Sequence, residues 1–141
     1  VKWFFDTSAL YPVFIDDHAH HEASLAAYLR ADPSQGACAA HSLAEVYATL
    51  TSMPGPNRLS SDQVLLVLDD IRERLTVIAL DSEEYRAAIG GAEEEDILGG
   101  TVYDALIAHC ALKSKAAVIY TWNLKHFRRV GPEVARRART P

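Results

Sequence analysis

Short apolar runs, each too brief to be a helix, alternate along this chain with longer amphipathic stretches, and that alternation limits the possible folds more than any other feature. Strands separated by helix-length segments cannot pair through tight hairpins; they pair in parallel through crossovers, which cover the sheet with helices. The strand segments are Lys2 to Phe5, Gly36 to His41, Thr76 to Leu80 and Ala117 to Tyr120. Helices are predicted over Ser8 to Ile15, where Pro12 is tolerable only in the first turn, and over His18 to Ala31, which stops before Pro33. Two more, Ser42 to Met53 and Ser60 to Leu75, flank the Pro54-Gly55-Pro56-Asn57 turn, the second with a start signal in Ser60 and Gln63. Ser82 to Ile89 is predicted to close at Gly90-Gly91, with Glu93-Glu94-Glu95-Asp96 a solvated loop. Val102 to Ser114 is apolar on nearly every face, as a buried helix should be. The expected fold class is α/β with a central, mostly parallel sheet. At 141 residues and 49% hydrophobic content, the chain suffices for a single domain with its own core, spanning residues 1–141.

At the ends of these segments stand side chains with hard oxygen donors. Asp6 follows Phe4-Phe5 and precedes Thr7-Ser8, Glu45 ends His41-Ser42-Leu43-Ala44-Glu45, Asp104 ends Thr101-Val102-Tyr103-Asp104, and Asn123 ends Ile119-Tyr120-Thr121-Trp122-Asn123. In an open α/β sheet the carboxyl ends of the strands share one edge, so side chains distant in sequence can meet there. Each acid also has a plainer role. Ser42 with Glu45 and Thr101 with Asp104 match the S/T-x-x-acid capping pattern, and Asp6 fits an N-cap. Caps alone do not require all three acids to fall beside apolar segments, and the coincidence points to a carboxylate cluster.

The net charge of −5 conceals a division, since residues 1–112 carry −12 and residues 113–141 carry +7. Lys113, Lys115, Lys125, Arg128, Arg129, Arg136, Arg137 and Arg139 are either an electrostatic footprint for a phosphate backbone or the solvated face of a C-terminal helix balancing an acidic body. Cys38 and Cys110 lie far apart without CxxC or finger spacing, so both are expected in the core as small hydrophobes. No apolar run reaches the roughly 18 residues needed to span a bilayer, and Val1 to Leu10 lacks the pattern of a signal peptide. A cytoplasmic protein with no membrane partner is expected.

Phe4-Phe5-Asp6-Thr7-Ser8-Ala9-Leu10 resembles the opening motif of the PIN-domain nucleases. Glu45 in Ser-Leu-Ala-Glu-Val resembles their second acid, Tyr103-Asp104-Ala105-Leu106-Ile107-Ala108 their third, and Thr121-Trp122-Asn123-Leu124-Lys125-His126-Phe127 their closing motif. The likeness spans nearly the whole chain, and the short length is most similar to the VapC-type toxins of bacterial toxin–antitoxin pairs. This resemblance implies a PIN-like three-layer α/β/α fold and a metal-dependent endoribonuclease, using Mg²⁺ with Mn²⁺ as a substitute, that leaves a 5′-phosphate and a 3′-hydroxyl. It also implies an RNA substrate, neutralisation by a cognate antitoxin, and a homodimer, with the paired helices around Pro54 to Asn57 as a surface for both proteins. Asp6, Glu45 and Asp104 would hold the metal, Asn123 would complete the catalytic set, and Thr7, Ser8 and Thr121 would orient carboxylates or substrate. Mg²⁺ favours hard oxygen ligands and keeps several waters, which suits a few carboxylates plus a substrate phosphate.

Two positions depart from the family pattern: many relatives have aspartate at Asn123 and an acid at His126. Three carboxylates would hold a second ion poorly, so one metal is expected before substrate arrives. Asn123 also motivates the alternative, a catalytically weak PIN-type RNA-binding or RNA-processing module. An ordinary phosphotransfer domain would want a glycine-rich phosphate loop or an Asp-x-Asp pair, and neither occurs. His18, His20 and His21 with Glu22 have ligand-like density, but histidines near a helix start are expected to stay solvated. His41 is a candidate partner of the acid cluster and His109 a hydrogen-bonded core residue. Trp122 is either a core residue or a platform for a base.

Overall fold

Phe4 and Phe5 are consecutive and both fully buried, which in a strand requires cover on both faces. They lie in β1 (Trp3–Phe5), the central strand of a five-stranded sheet ordered β3-β2-β1-β4-β5, in a computed structural model that describes residues 1–141. The other strands are β2 (Gly36–Ala39), β3 (Thr76–Ile78), β4 (Val118–Tyr120) and β5 (Ala138–Arg139), and every pairing is parallel. The helices are α1 (Thr7–Leu10), α2 (His21–Arg30), α3 (Ala40–Ser52), α4 (Ser61–Arg74), α5 (Ser82–Glu94), α6 (Val102–Lys113), α7 (Leu124–Val130) and α8 (Pro132–Arg137). Phe5 and Cys38 join one core with Leu10, Tyr28, Val46, Leu50 and Ile71 from α1 to α4. Phe4, Ala37, Ala39 and Ile119 join another with Ile107, Ala111, Phe127 and Val134 from α6 to α8. The result is the expected α/β/α sandwich.

Strand order decides where a site can form. The chain runs outward from β1 through β2 to β3, then returns to the other side of β1 for β4 and β5. The carboxyl end of β1 is therefore a topological switch point, the place where open sheets leave a crevice.

Several boundaries differ from expectation, each for a local reason. The predicted helix from Ser8 to Ile15 is α1 followed by a 3₁₀ turn at Tyr11–Phe14, because Pro12 has no N–H for the Ser8 carbonyl and crowds it. α2 begins at His21 rather than His18, since His18 Nδ1 accepts the His20 N–H at 3.0 Å and holds this stretch in a turn. β2 ends at Ala39 and α3 begins at Ala40, so Ser42 and Glu45 lie inside the helix and form no capping box. α5 runs through Gly90-Gly91 to Glu94 instead of closing there. A capping box between Asp81 and Glu84 starts it, and Ala88 and Ala92, one turn apart, are both buried. That packing outweighs the roughly 1 kcal/mol that each helical glycine costs. Glu93 and Glu94 are thus helical, although all four acids of the run are exposed as expected.

β5 carries no strand signal, for it follows the arginine-rich α8; it exists because it pairs with β4, and Arg139 O accepts the Thr121 N–H at 2.9 Å. The Ser60–Gln63 capping box forms as predicted, and Cys38 and Cys110 are buried and unpaired. His109 is half-buried and makes no side-chain hydrogen bond, contrary to expectation; it borders an apolar hollow beside Ala88 and Ala92.

Candidate active site

Asp6 follows the last residue of β1, caps α1 and is 2% exposed. Two hydroxyls fix one of its oxygens: Ser8 Oγ donates to Oδ2 at 2.7 Å and Thr121 Oγ1 donates to it at 2.8 Å. The loop after β4 holds both hydroxyls in turn, as the Trp122 N–H donates to Ser8 Oγ at 2.8 Å and the Asn123 N–H donates to Thr121 Oγ1 at 3.0 Å. The register that sets Phe5 opposite Tyr120 brings that loop beside Asp6. Oδ1 is left without a protein hydrogen bond. Burial pushes the Asp6 carboxyl up from 3.8 to about 6 against the pull of both hydroxyls, and the Asp104 charge adds to the rise.

Glu45 and Asp104 are likewise tied to neighbours. Thr7 Oγ1 lies 2.7 Å from Glu45 Oε1 and 2.9 Å from Ser42 Oγ, and its single proton goes to the charged acceptor. His41 Nε2 lies 3.9 Å from Glu45 Oε2, and its ring stacks on Tyr103 with centroids 5.0 Å apart. Thr101 does not cap α6, and Asp104 in the first turn of that helix reaches His126 Nδ1 at 3.1 Å through Oδ2. Burial raises the Asp104 carboxyl, His126 opposes the rise, and the Glu45 charge adds to it. The early start of α3 and the missing cap on α6 are therefore linked to the site: neither acid is engaged with its own helix terminus.

Asp6, Thr7, Ser8, Glu45, Asp104 and Asn123 line one open cavity of about 440 Å³, together with Tyr11, His18, His20, Thr49 and Trp122. Thr121 stands behind Asp6, fully buried. Every sequence-predicted site residue is thus in the lining or bonded to it. The ring wall was not anticipated. His20 stacks on Trp122 with centroids 3.6 Å apart and planes 8° from parallel, and Trp122 Nε1 donates to buried Ser24 Oγ at 2.9 Å. The histidines near α2 are therefore not simply solvated, and Trp122 has one face closed. Tyr11 and Thr49 have no motif to reveal them, because only tertiary packing turns them toward the acids.

No three His, Cys, Asp or Glu side chains lie close enough together to hold an ion by themselves. Each acid is engaged by a hydroxyl or an imidazole instead: Asp6 by Ser8 and Thr121, Glu45 by Thr7, and Asp104 by His126. The acidic side of the cavity offers only hard oxygen donors, which fits a cation that keeps most of its waters and takes substrate oxygens as further ligands. It does not fit a softer, fully caged metal.

An all-parallel sheet whose switch point carries three acids on neighbouring elements is the architecture of a PIN domain. The PIN domain family matches residues 3–132, and the chain belongs to that family. Among its members it is 35% identical over 120 residues to Ribonuclease VapC40 of Mycobacterium tuberculosis, covering 85% of each chain. It is 31% identical over 112 residues to Ribonuclease VapC27 of the same organism, covering 79% of this chain and 77% of the relative. These likenesses make it a VapC-type ribonuclease. Its fold is shared with the crystal structure of Mycobacterium tuberculosis VapC20, a sarcin–ricin-loop-cleaving toxin, at a TM-score of 0.71 and 16% identity over 89% of this chain and 92% of that one. VapBC2 from Rickettsia felis, bound to a DNA fragment from its promoter, superposes at a TM-score of 0.62 and 20% identity over 92% of this chain and 93% of that one. No helix is long and apolar enough to cross a membrane.

Proposed function

We propose that this ribonuclease is an endonucleolytic toxin of the cytoplasm that hydrolyses RNA with Mg²⁺, or Mn²⁺ in its place, held by Asp6, Glu45 and Asp104. The observation that carries this reading is that those three side chains line one cavity, with Asp6 almost wholly buried there. A bound cation would offset the cost of burying the Asp6 charge and supply Lewis-acid chemistry at the phosphodiester. The chain's own residues set the rest. Ser8 and Thr121 fix Asp6 so that Oδ1 is the free oxygen, and Thr7 sets the rotamer of Glu45. Asn123 is exposed at the cavity and offers a carbonyl and an amide without charge. That leaves three carboxylates for one cation before substrate arrives.

A cognate antitoxin and a second copy of the chain complete the proposal. The likeness to VapBC2 supports a protein partner, and Tyr47 on α3 with Leu65 and Leu66 on α4 gives exposed apolar surface for docking. Two unpaired buried cysteines agree with a reducing compartment.

The test is cleavage of a structured RNA by folded protein with Mg²⁺, with Mn²⁺ and with a chelator. Divalent-dependent cuts bearing 5′-phosphate ends are expected, and Asp6→Asn or Asp104→Asn should abolish them. Retained cleavage in either variant contradicts the assigned roles. Tight binding without any cutting, in both metals, would instead make the chain an RNA-binding module.

A further inference from the structure

The cavity has two unlike walls, and hydrolysis uses only one. Beside the acids runs a series of rings. Tyr11 meets His18 edge-on with centroids 5.4 Å apart, His18 meets His20 at 5.6 Å, and His20 stacks on Trp122 at 3.6 Å. One end of the series is fastened, as Trp122 Nε1 donates to Ser24 Oγ, and His21, next to His20 in the chain, places Nδ1 2.8 Å from Pro12 O. Apart from the Trp122 anchor, the outward polar tips of the rings are free. The Tyr11 hydroxyl, His18 Nε2 and both ring nitrogens of His20 have no protein partner, while His18 Nδ1 is taken by the His20 backbone N–H at 3.0 Å.

We propose that Tyr11, His18 and His20, braced by Trp122, form a seat for the nucleobase adjacent to the scissile phosphate, so that this ribonuclease cuts where a base is unpaired and turned out. The inference rests on the reading of the acidic wall as the hydrolytic site. Preorganised rings with unpartnered donors and acceptors suit a base, which brings a π-face and an uncharged hydrogen-bonding edge; single-stranded RNA is recognised by this combination. A second phosphate suits the wall poorly. It would share the cavity with three carboxylates, and burial holds the His18 imidazole below its ordinary pKa. A transition metal is also disfavoured, since His18 has one nitrogen already engaged and no three-ligand group exists.

The experiment measures binding of a short single-stranded RNA to Asp104→Asn protein with Mg²⁺, and compares it with the same RNA made abasic at one nucleotide beside the cut. Loss of the base should weaken binding about tenfold, the scale of one stacked base. In Asp104→Asn protein that also carries His18→Ala or His20→Ala, the intact RNA should bind about as weakly as the abasic one, and the distinction should vanish. His20→Phe keeps a ring against Trp122 and removes the free nitrogens, so it should fold normally, retain most of the stacking advantage and discriminate less among the four bases. Equal losses on intact and abasic RNA in all three variants would overturn the seat. The two readings fail separately: cleavage without base discrimination leaves the nuclease and removes the seat, and discrimination without cleavage by wild-type protein does the reverse.

Discussion

A carboxyl that titrates near 6 ties the stability of the metal-free protein to pH. Asp6 has a folded pKa raised above its ordinary 3.8, so below about pH 4 it is neutral in both states and carries no penalty. As pH rises toward 6 the unfolded chain ionises first, and stability falls; above that range the loss levels off at roughly 3 kcal/mol. Depressed acids such as Asp32, Glu84 and Glu133 act in the opposite sense, so the comparison with Asp6→Asn isolates the effect. Urea denaturation without metal should find that variant more stable than wild type at pH 7 and about equal near pH 4. A difference that does not change with pH would show that Asp6 is unperturbed. Adding Mg²⁺ should raise the melting temperature of wild type and leave Asp6→Asn nearly unmoved, because only a binding-competent native state gains from ligand. At this scale the sequence was informative. Asp6 was legible both as a cap, which it is, and as a candidate ligand, and it lines the cavity.

Elements tell a more divided story. Where a boundary is set by neighbours a few residues away, the sequence shows it: Ser60 and Gln63 close their box, and Val102 to Lys113 is the buried helix that its composition predicts. Where a distant surface decides, it does not. The glycine pair reads as a stop, yet α5 continues because Ala92 packs with Ile97 and Ala105. Two substitutions distinguish what these glycines do. A Cβ at Gly91 meets nothing within 4 Å, so Gly91→Ala should stabilise the protein by about 1 kcal/mol by removing backbone freedom from the unfolded chain. A Cβ at Gly36 would fall 2.7 Å from Leu75 Cδ2 and 2.8 Å from Ala31 Cβ, so Gly36→Ala should cost roughly 1–3 kcal/mol through overpacking. Thermal denaturation of the two variants should move in opposite directions.

Across the whole molecule, the basic C-terminal stretch proves narrower as a footprint than its composition suggests. Lys113 pairs with Glu84, Arg136 and Arg137 with Glu133, and Arg129 and Arg139 donate to backbone carbonyls. Lys125 and Arg128 on α7 are exposed and have no such partner, and α7 starts directly after Asn123 at the cavity. If these two cations meet the RNA backbone, Lys125→Ala with Arg128→Ala should reduce the slope of log affinity against log salt by about 1.4, near 0.7 for each single-strand phosphate that is no longer neutralised. Arg136→Ala should change the slope less than the double variant does, since Glu133 offsets part of the Arg136 and Arg137 charge. An unaltered slope in the double variant would move the backbone path elsewhere.

What the sequence determined alone was the alternation of strand and helix, and with it a parallel sheet that gathers Asp6, Glu45, Asp104 and Asn123 at one edge. Period and punctuation are local properties, and strand ends share an edge in any arrangement of this kind. Tertiary structure decided the β5 pairing, the start of α3 that turns Glu45 toward Thr7, and the ring wall that shares the cavity with the acids. Those features depend on groups brought together from far along the chain: His20 and Trp122 are stacked neighbours only because the loop after β4 folds against the start of α2, and no local pattern encodes that meeting.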